Sequence, residues 1–151
     1  SNFANTVREP MKEHEQVLVF SKGKWTYNKQ MEERKGSGLQ RAKQKFHWKP
    51  KSENYRVMEE KMADSISDLR VPSSVQLFKC DRGLHPTQKP VKLMEYLVKT
   101  YTNENEIVLD NTMGSGTTGL ACLKTNRQFI GIEKEKQYYD VAVRRLSEYC
   151  G

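Results

Sequence analysis

Apolar positions are unevenly spaced along the 151 residues, and their rhythm divides the chain into three zones. In the first, Glu15 to Phe20 (EQVLVF) is a short apolar run halted by Ser21-Lys22-Gly23, which predicts one strand and a turn. Between 29 and 74, apolar residues fall singly among charges, Gly36-Ser37-Gly38 and scattered aromatics. That zone reads as loop, with a helix near Tyr55–Met62. After 75 the pattern becomes dense. Ser74 to Cys80 (SVQLFKC) reads as a short strand. His85 to Pro90 (HPTQKP) reads as a turn, with Pro90 at the first position of a helix. Leu93, Met94, Leu97, Val98 and Tyr101 would form that helix's apolar face.

Asn103-Glu104-Asn105-Glu106 breaks this helix. Glu106 to Asp110 (EIVLD) then runs apolar to its last residue, as a strand covered on both faces does. Thr117 to Thr125 opens a second helix directly after a run of glycines. Arg127 to Glu133 (RQFIGIE) reads as another strand, with Glu133 at its carboxyl end. Lys134 to Tyr149 reads as a final helix with Tyr138, Ala142, Leu146 and Tyr149 on one side. Helix, strand, helix, strand, helix is the grammar of an α/β fold: a partial, parallel-type sheet flanked by helices. The middle zone is then a basic, loop-rich insertion.

Charge sharpens that division. The net charge is +7, yet Lys22 to Arg56 alone carries eleven Lys/Arg against Glu32, Glu33 and Glu53. One segment holds the whole imbalance, which points to a local polyanion contact; the plainer reading is a solvated basic loop. The cysteines, Cys80, Cys122 and Cys150, are odd in number and spaced for neither a disulfide framework nor a zinc site. Reduced thiols in a cytosol are expected, with no metal. No apolar run approaches a membrane span and no signal peptide is visible. The chain begins without Met, at Ser1-Asn2-Phe3, so an internal fragment or a cloning remnant is expected.

Ligands of parallel α/β sheets bind outside the carboxyl ends of the strands. Asp110 and Glu133 stand there, with Gly114 and Gly116 between them. Gly-Ser-Gly-Thr-Thr-Gly, residues 114–119, formally fits the dinucleotide pattern Gly-x-Gly-x-x-Gly, a weak signal alone. A nucleotide-triphosphate loop would need a lysine that is missing. S-adenosylmethionine is the third candidate: its ammonium and sulfonium would favour the acid before the loop, and Glu133 would accept from ribose hydroxyls. The bland alternative is a helix-capping glycine turn with no ligand.

HPTQKP, then VLDNTMGSGTTG, then FIGIE with the tyrosines, alanine and Arg-Leu of the last helix, together resemble the amino-directed DNA methyltransferases. More narrowly, they are similar to the permuted group with cofactor motifs at the C-terminal end. The resemblance is strong over Leu84 to Leu146 and extends weakly to the residues around EQVLVF. It implies a Rossmann-like, S-adenosylmethionine-dependent fold, with 1–28 in the catalytic-side sheet, 29–74 in target recognition and 75–151 binding the cofactor. His85, Pro86, Thr87 and Lys89 would lie beside the methionine part. Asp110, Met113, Gly114, Ser115, Gly116 and Thr117 would surround it, Ile132 would border the adenine and Glu133 would hold the ribose. For His85 alone, a turn residue ahead of the helix is the simpler reading. The family commonly has Pro-Phe after the aspartate, where this chain has Asn111-Thr112.

The resemblance also implies a reaction: methyl transfer to the exocyclic amine of a flipped base in double-stranded DNA, with adenine N6 expected. That nitrogen is a poor nucleophile, and the family activates it with an Asp/Asn/Ser-Pro-Pro-aromatic loop. The prolines here, at 10, 50, 72, 86 and 90, include no adjacent pair. No catalytic residue is therefore expected in this chain, which would be an inactive C-terminal fragment of a bacterial or phage restriction-modification enzyme. The missing part would come from the same protein or another subunit. Lys22, Lys24, Lys29, Arg41, Lys43, Lys45, Trp48 and Lys49 are the expected DNA contacts, phosphates dominating affinity. A nicotinamide-dependent oxidoreductase would explain the glycines and Glu133 but not HPTQKP or the basic zone. A DNA- or partner-binding module with a relic cofactor pocket is the non-enzymatic alternative.

Overall fold

A helix packed on all sides organises the molecule. The computed structural model describes residues 14–36, 68–81 and 83–151. In chain order the elements are β1 (Glu32–Glu33), β2 (Leu69–Arg70), α1 (Val91–Tyr101), β3 (Ile107–Asp110), α2 (Thr117–Lys124), β4 (Gln128–Gly131) and α3 (Lys136–Cys150). β3 and β4 pair in parallel, Ile107 opposite Gln128 and Asp110 opposite Gly131. α2 connects them and packs against α1, α3 and β4. Thr117 to Cys122 is buried without a break, the mark of a helix with no solvent face. Val98 and Thr100 of α1 and Ala142 of α3 complete a small core around it. Burial also pushes the Cys122 thiol up to about 11, so this cysteine is an inert filler.

Side chains distant in sequence tie off the helix ends. Asp81 accepts the Val91 N–H at 2.9 Å, capping α1 from ten residues upstream. Pro90 lies just outside the helix, in an extended conformation (ψ 134°), one residue before the predicted place. At the other end Asn28 donates to the carbonyls of Lys99 and Thr102 at 3.1 and 2.9 Å. Arg127 reaches the Thr102 carbonyl at 2.8 Å and the Thr125 carbonyl, joining the end of α1 to the turn before β4.

Three readings of the sequence need correction. Glu15–Phe20 and Ser74–Cys80 are not strands. Their side chains lie largely in solvent, Phe20 at 87% and Leu77 at 94% exposure. An apolar run specifies a strand only when a neighbour pairs with its backbone, and neither run has one among the described residues. β3 is likewise not covered on both faces. Ile107, Leu109, Ile130 and Ile132 are more than half exposed on one side of the sheet, while Val108 and Phe129 turn toward α2. The described helices cover one face only. The short β1–β2 ladder, Glu32 opposite Arg70, had no readable periodicity. The helix expected near Tyr55–Met62 lies outside the described residues. Among those described, no helix is long and apolar enough to cross a membrane.

The seat of α2 on β4 depends on Gly119. A Cβ there would stand 2.7 Å from the Phe129 ring and 3.1 Å from Leu146. Gly119→Ala should therefore lower stability by about 1–3 kcal/mol, despite the roughly 0.5–1 kcal/mol that alanine gains inside a helix. Urea unfolding reads this directly. Adding Phe129→Leu should recover part of the loss, and a neutral Gly119→Ala would refute the close approach.

Candidate functional site

The carboxyl ends of β3 and β4 lie side by side, and a carboxylate stands at each. Asp110 closes β3; its two oxygens accept the Thr112 N–H at 3.1 Å and the Thr118 hydroxyl at 2.6 Å. The first bond is an Asx turn that starts the loop, and the second anchors that loop to α2. Glu133 lies two residues beyond β4. It accepts the Gly114 N–H at 2.9 Å through one oxygen and the Glu135 N–H at 2.9 Å through the other. The Glu135 amide above all, aided by those of Gly114 and Lys134, holds the Glu133 carboxyl below its ordinary range against partial desolvation.

Between these carboxylates the backbone passes through left-handed conformations at Gly114 (φ 52°) and Gly116 (φ 73°). Both glycines also meet close neighbours. A Cβ on Gly114 would lie 3.3 Å from the His85 ring, and one on Gly116 would lie 3.0 Å from Ala142 of α3. The Met113 N–H donates to the Ile132 carbonyl at 3.0 Å, and the Ile132 N–H donates to the Asp110 carbonyl at 2.9 Å. The loop is thus a continuation of the sheet. His85 closes one side: its ring meets Tyr138 edge-on at 4.2 Å, and its Nδ1 accepts the Thr87 N–H at 3.2 Å. A backbone N–H can only donate, so Nδ1 is the acceptor of that bond.

Two carboxylates over a left-handed glycine loop at a helix start can accept from hydroxyls and attract a cation. The family of N6/N4 DNA methylases matches residues 1–144. The chain belongs to that family. It is 49% identical over 72 residues to the type II methyltransferase M.HindIII of Haemophilus influenzae, covering 48% of this chain and 23% of that protein. It is 34% identical over 141 residues to M.HpaI of Haemophilus parainfluenzae, covering 91% of this chain and 40% of that protein. A solved structure, the M1.HpyAVI–SAM complex, is 60% identical at a TM-score of 0.40, covering 41% of this chain and 32% of that one. The chain therefore spans well under half the length of these relatives.

Within this member of the family, the structure gathers Asp110, Met113, Gly114, Ser115, Gly116, Thr117, Glu133 and His85 into one locus. Ser115 and Thr117 face inward: the Ser115 carbonyl and the Thr117 hydroxyl both accept from Arg145, at 3.2 and 3.1 Å. Pro86 and Thr87 are exposed beside His85. Lys89 instead pairs with Glu15 at 2.6 Å, and the side chain of Ile132 is exposed on the open sheet face. Lys22, Lys24 and Lys29 are exposed, whereas Arg41, Lys43, Lys45, Trp48 and Lys49 lie outside the described residues. Asn111 and Thr112 fit without strain, because the Asx turn needs only the N–H at 112.

Thr118, Tyr138, Ala142 and Arg145 take part in the site although sequence reasoning did not single them out for it. Spacings of four and three place Tyr138, Ala142 and Arg145 on one helical face, so the periodicity of α3 held the signal. Burial pushes the Arg145 guanidinium down from its ordinary value, opposed by the charge of Asp81.

The Glu133 bonds have a definite pH sign. A depressed carboxyl adds stability that is full above its ordinary value of 4.5 and is lost as the pH falls through the lower folded value. Glu133→Gln removes that ionisation. Urea midpoints followed from neutral pH into the acid range should fall more steeply for the parent chain than for the variant. Parallel curves would show that Glu133 does not brace the loop.

Proposed function

We propose that this chain holds S-adenosylmethionine in the loop from Asp110 to Thr117 and serves a DNA amino-methyltransferase. The supporting observation is the pair of carboxylates at neighbouring parallel strand ends, one on each side of the left-handed glycine loop. The donor set suits the ligand. Asp110 offers negative charge to an ammonium and a sulfonium, and Glu133 offers acceptors to ribose hydroxyls. His85, Pro86, Thr87 and Lys89 would border the methionine part; Met113, Gly114, Ser115, Gly116 and Thr117 would form the cradle, and Ile132 would border the adenine. When bound, the cofactor supplies an electrophilic methyl group.

The acceptor in this reading is the exocyclic amine of a flipped DNA base, adenine N6 first, in the cytoplasm of a bacterial or phage-infected cell. In this reading 29–74 would contact DNA and 75–151 would bind the cofactor. Lys22, Lys24 and Lys29, with Arg41, Lys43, Lys45, Trp48 and Lys49, would meet the duplex. The loop that accepts hydrogen bonds from the amine would come from outside these residues, since no Pro-Pro pair occurs among them.

Calorimetry on the chain should show binding of S-adenosylmethionine and none of NAD. Glu133→Ala should weaken that binding by about 1.5–3 kcal/mol, the range for a hydrogen bond to a charged group. Binding of NAD alone, or of neither ligand, would overturn the reading. DNA affinity should fall linearly with salt on a log–log scale, and a flat slope would remove DNA from it. Tritiated-methyl transfer by the chain alone should be absent on both adenine- and cytosine-containing duplexes; robust incorporation would refute the assignment of catalysis to another segment.

A further inference from the structure

We infer that a second nucleic-acid contact lies at the far end of α1 from the glycine loop: an aromatic depression that takes one unpaired base of a DNA strand. It rests on the DNA reading above and adds a site to it. Val19, Ser21, Trp25, Tyr27 and Tyr101 line an open, mainly apolar depression of about 380 Å³. Its floor is rigid. Tyr27 and Tyr101 meet at a ring-centroid distance of 6.3 Å, and Asn28 bolts the segment to the end of α1 through the carbonyls of Lys99, Thr100 and Thr102. α1 has 11 residues, so the depression stands about 16 Å along the helix from its other end, where His85 adjoins the loop.

The charge around it identifies the occupant. Gln16 to Met31 contains Lys22, Lys24 and Lys29 and no acid. None of these lysines makes an ion pair among the described residues, and Glu32, next along the chain, is engaged by Arg70 at 3.3 Å. Trp25 is 65% exposed and Tyr27 is 49% exposed, so aromatic surface at the depression is open to solvent. Rings on which a base stacks, interleaved with cations that meet its flanking phosphates, form the chemistry of single-strand recognition. An apolar protein segment would fill the same space but would leave the lysines without partners.

The test uses the full chain labelled with 5-fluorotryptophan, whose two 19F resonances are assigned with Trp25→Phe. The probes are oligothymidylate and an abasic oligonucleotide of equal length and phosphate count. Oligothymidylate should shift the Trp25 resonance and bind roughly 5- to 150-fold tighter than the abasic strand. Trp25→Ala or Tyr27→Ala should abolish that preference while leaving the salt slope unchanged, and Trp25→Phe should retain most of it. Equal binding of both strands with a stationary Trp25 resonance would overturn the depression as a base site and leave the DNA reading intact. Binding of neither strand at low salt would also overturn the depression as a base site, while the salt dependence of duplex binding tests the DNA reading separately.

Discussion

The Glu133 carboxylate is the constraint on which the rest of the site depends. It accepts one amide from the glycine loop after β3 and one from the turn before α3, so a single side chain holds two connections in register. Removing it would leave the Gly114 N–H of a buried loop without a partner, which costs about 1–3 kcal/mol. Asp110 does the same work on the other strand, joining its own turn to the first residues of α2. A two-stranded sheet has little stability of its own. Here the strand ends are stitched to two helices by carboxylates, and the sheet geometry reaches into the loop through the backbone of Ile132.

The helices are arranged to make this possible. α2 is too short and too thoroughly enclosed to be amphipathic, so its position is set by what surrounds it. α3 supplies three of those surroundings from one face. Ala142 leaves space for the left-handed Gly116, Tyr138 backs the His85 ring, and Arg145 ties the Ser115 carbonyl to the Thr117 hydroxyl. Any displacement of α3 along its axis would disturb all three contacts together.

Much of this was readable from the chain. The alternation from Val91 to Tyr149 announced three helices and two strands at nearly their observed positions, and the two acids flanking the glycines marked the place where the ends meet. What failed did so for physical reasons. Glu15–Phe20 and Ser74–Cys80 have the side-chain pattern of strands, but a pattern does not supply a hydrogen-bonding neighbour. The apolar run of β3 suggested two covered faces because side-chain character reports what a strand tolerates, whereas coverage depends on elements elsewhere. Thr100 is 2% exposed although it looks polar; its hydroxyl is satisfied by the Tyr96 carbonyl one turn earlier. Arg145 belongs to the Arg-Leu pair that helps carry the resemblance, yet it was assigned no place in the site, because its role depends on a loop thirty residues away.

One feature of the glycine loop bears on its energetics. Both carboxylates already engage hydrogen-bond donors of the chain itself, and both left-handed residues are glycines held against His85 and Ala142. The loop's conformational entropy is therefore spent during folding, before any guest arrives. A ligand entering it would meet a preorganised mould, and its affinity would be set by the exchange of hydrogen bonds at carboxylate oxygens that keep a second lone pair free. Such a cradle would bind with little movement of its backbone, and an ill-fitting guest would find little slack to adapt to.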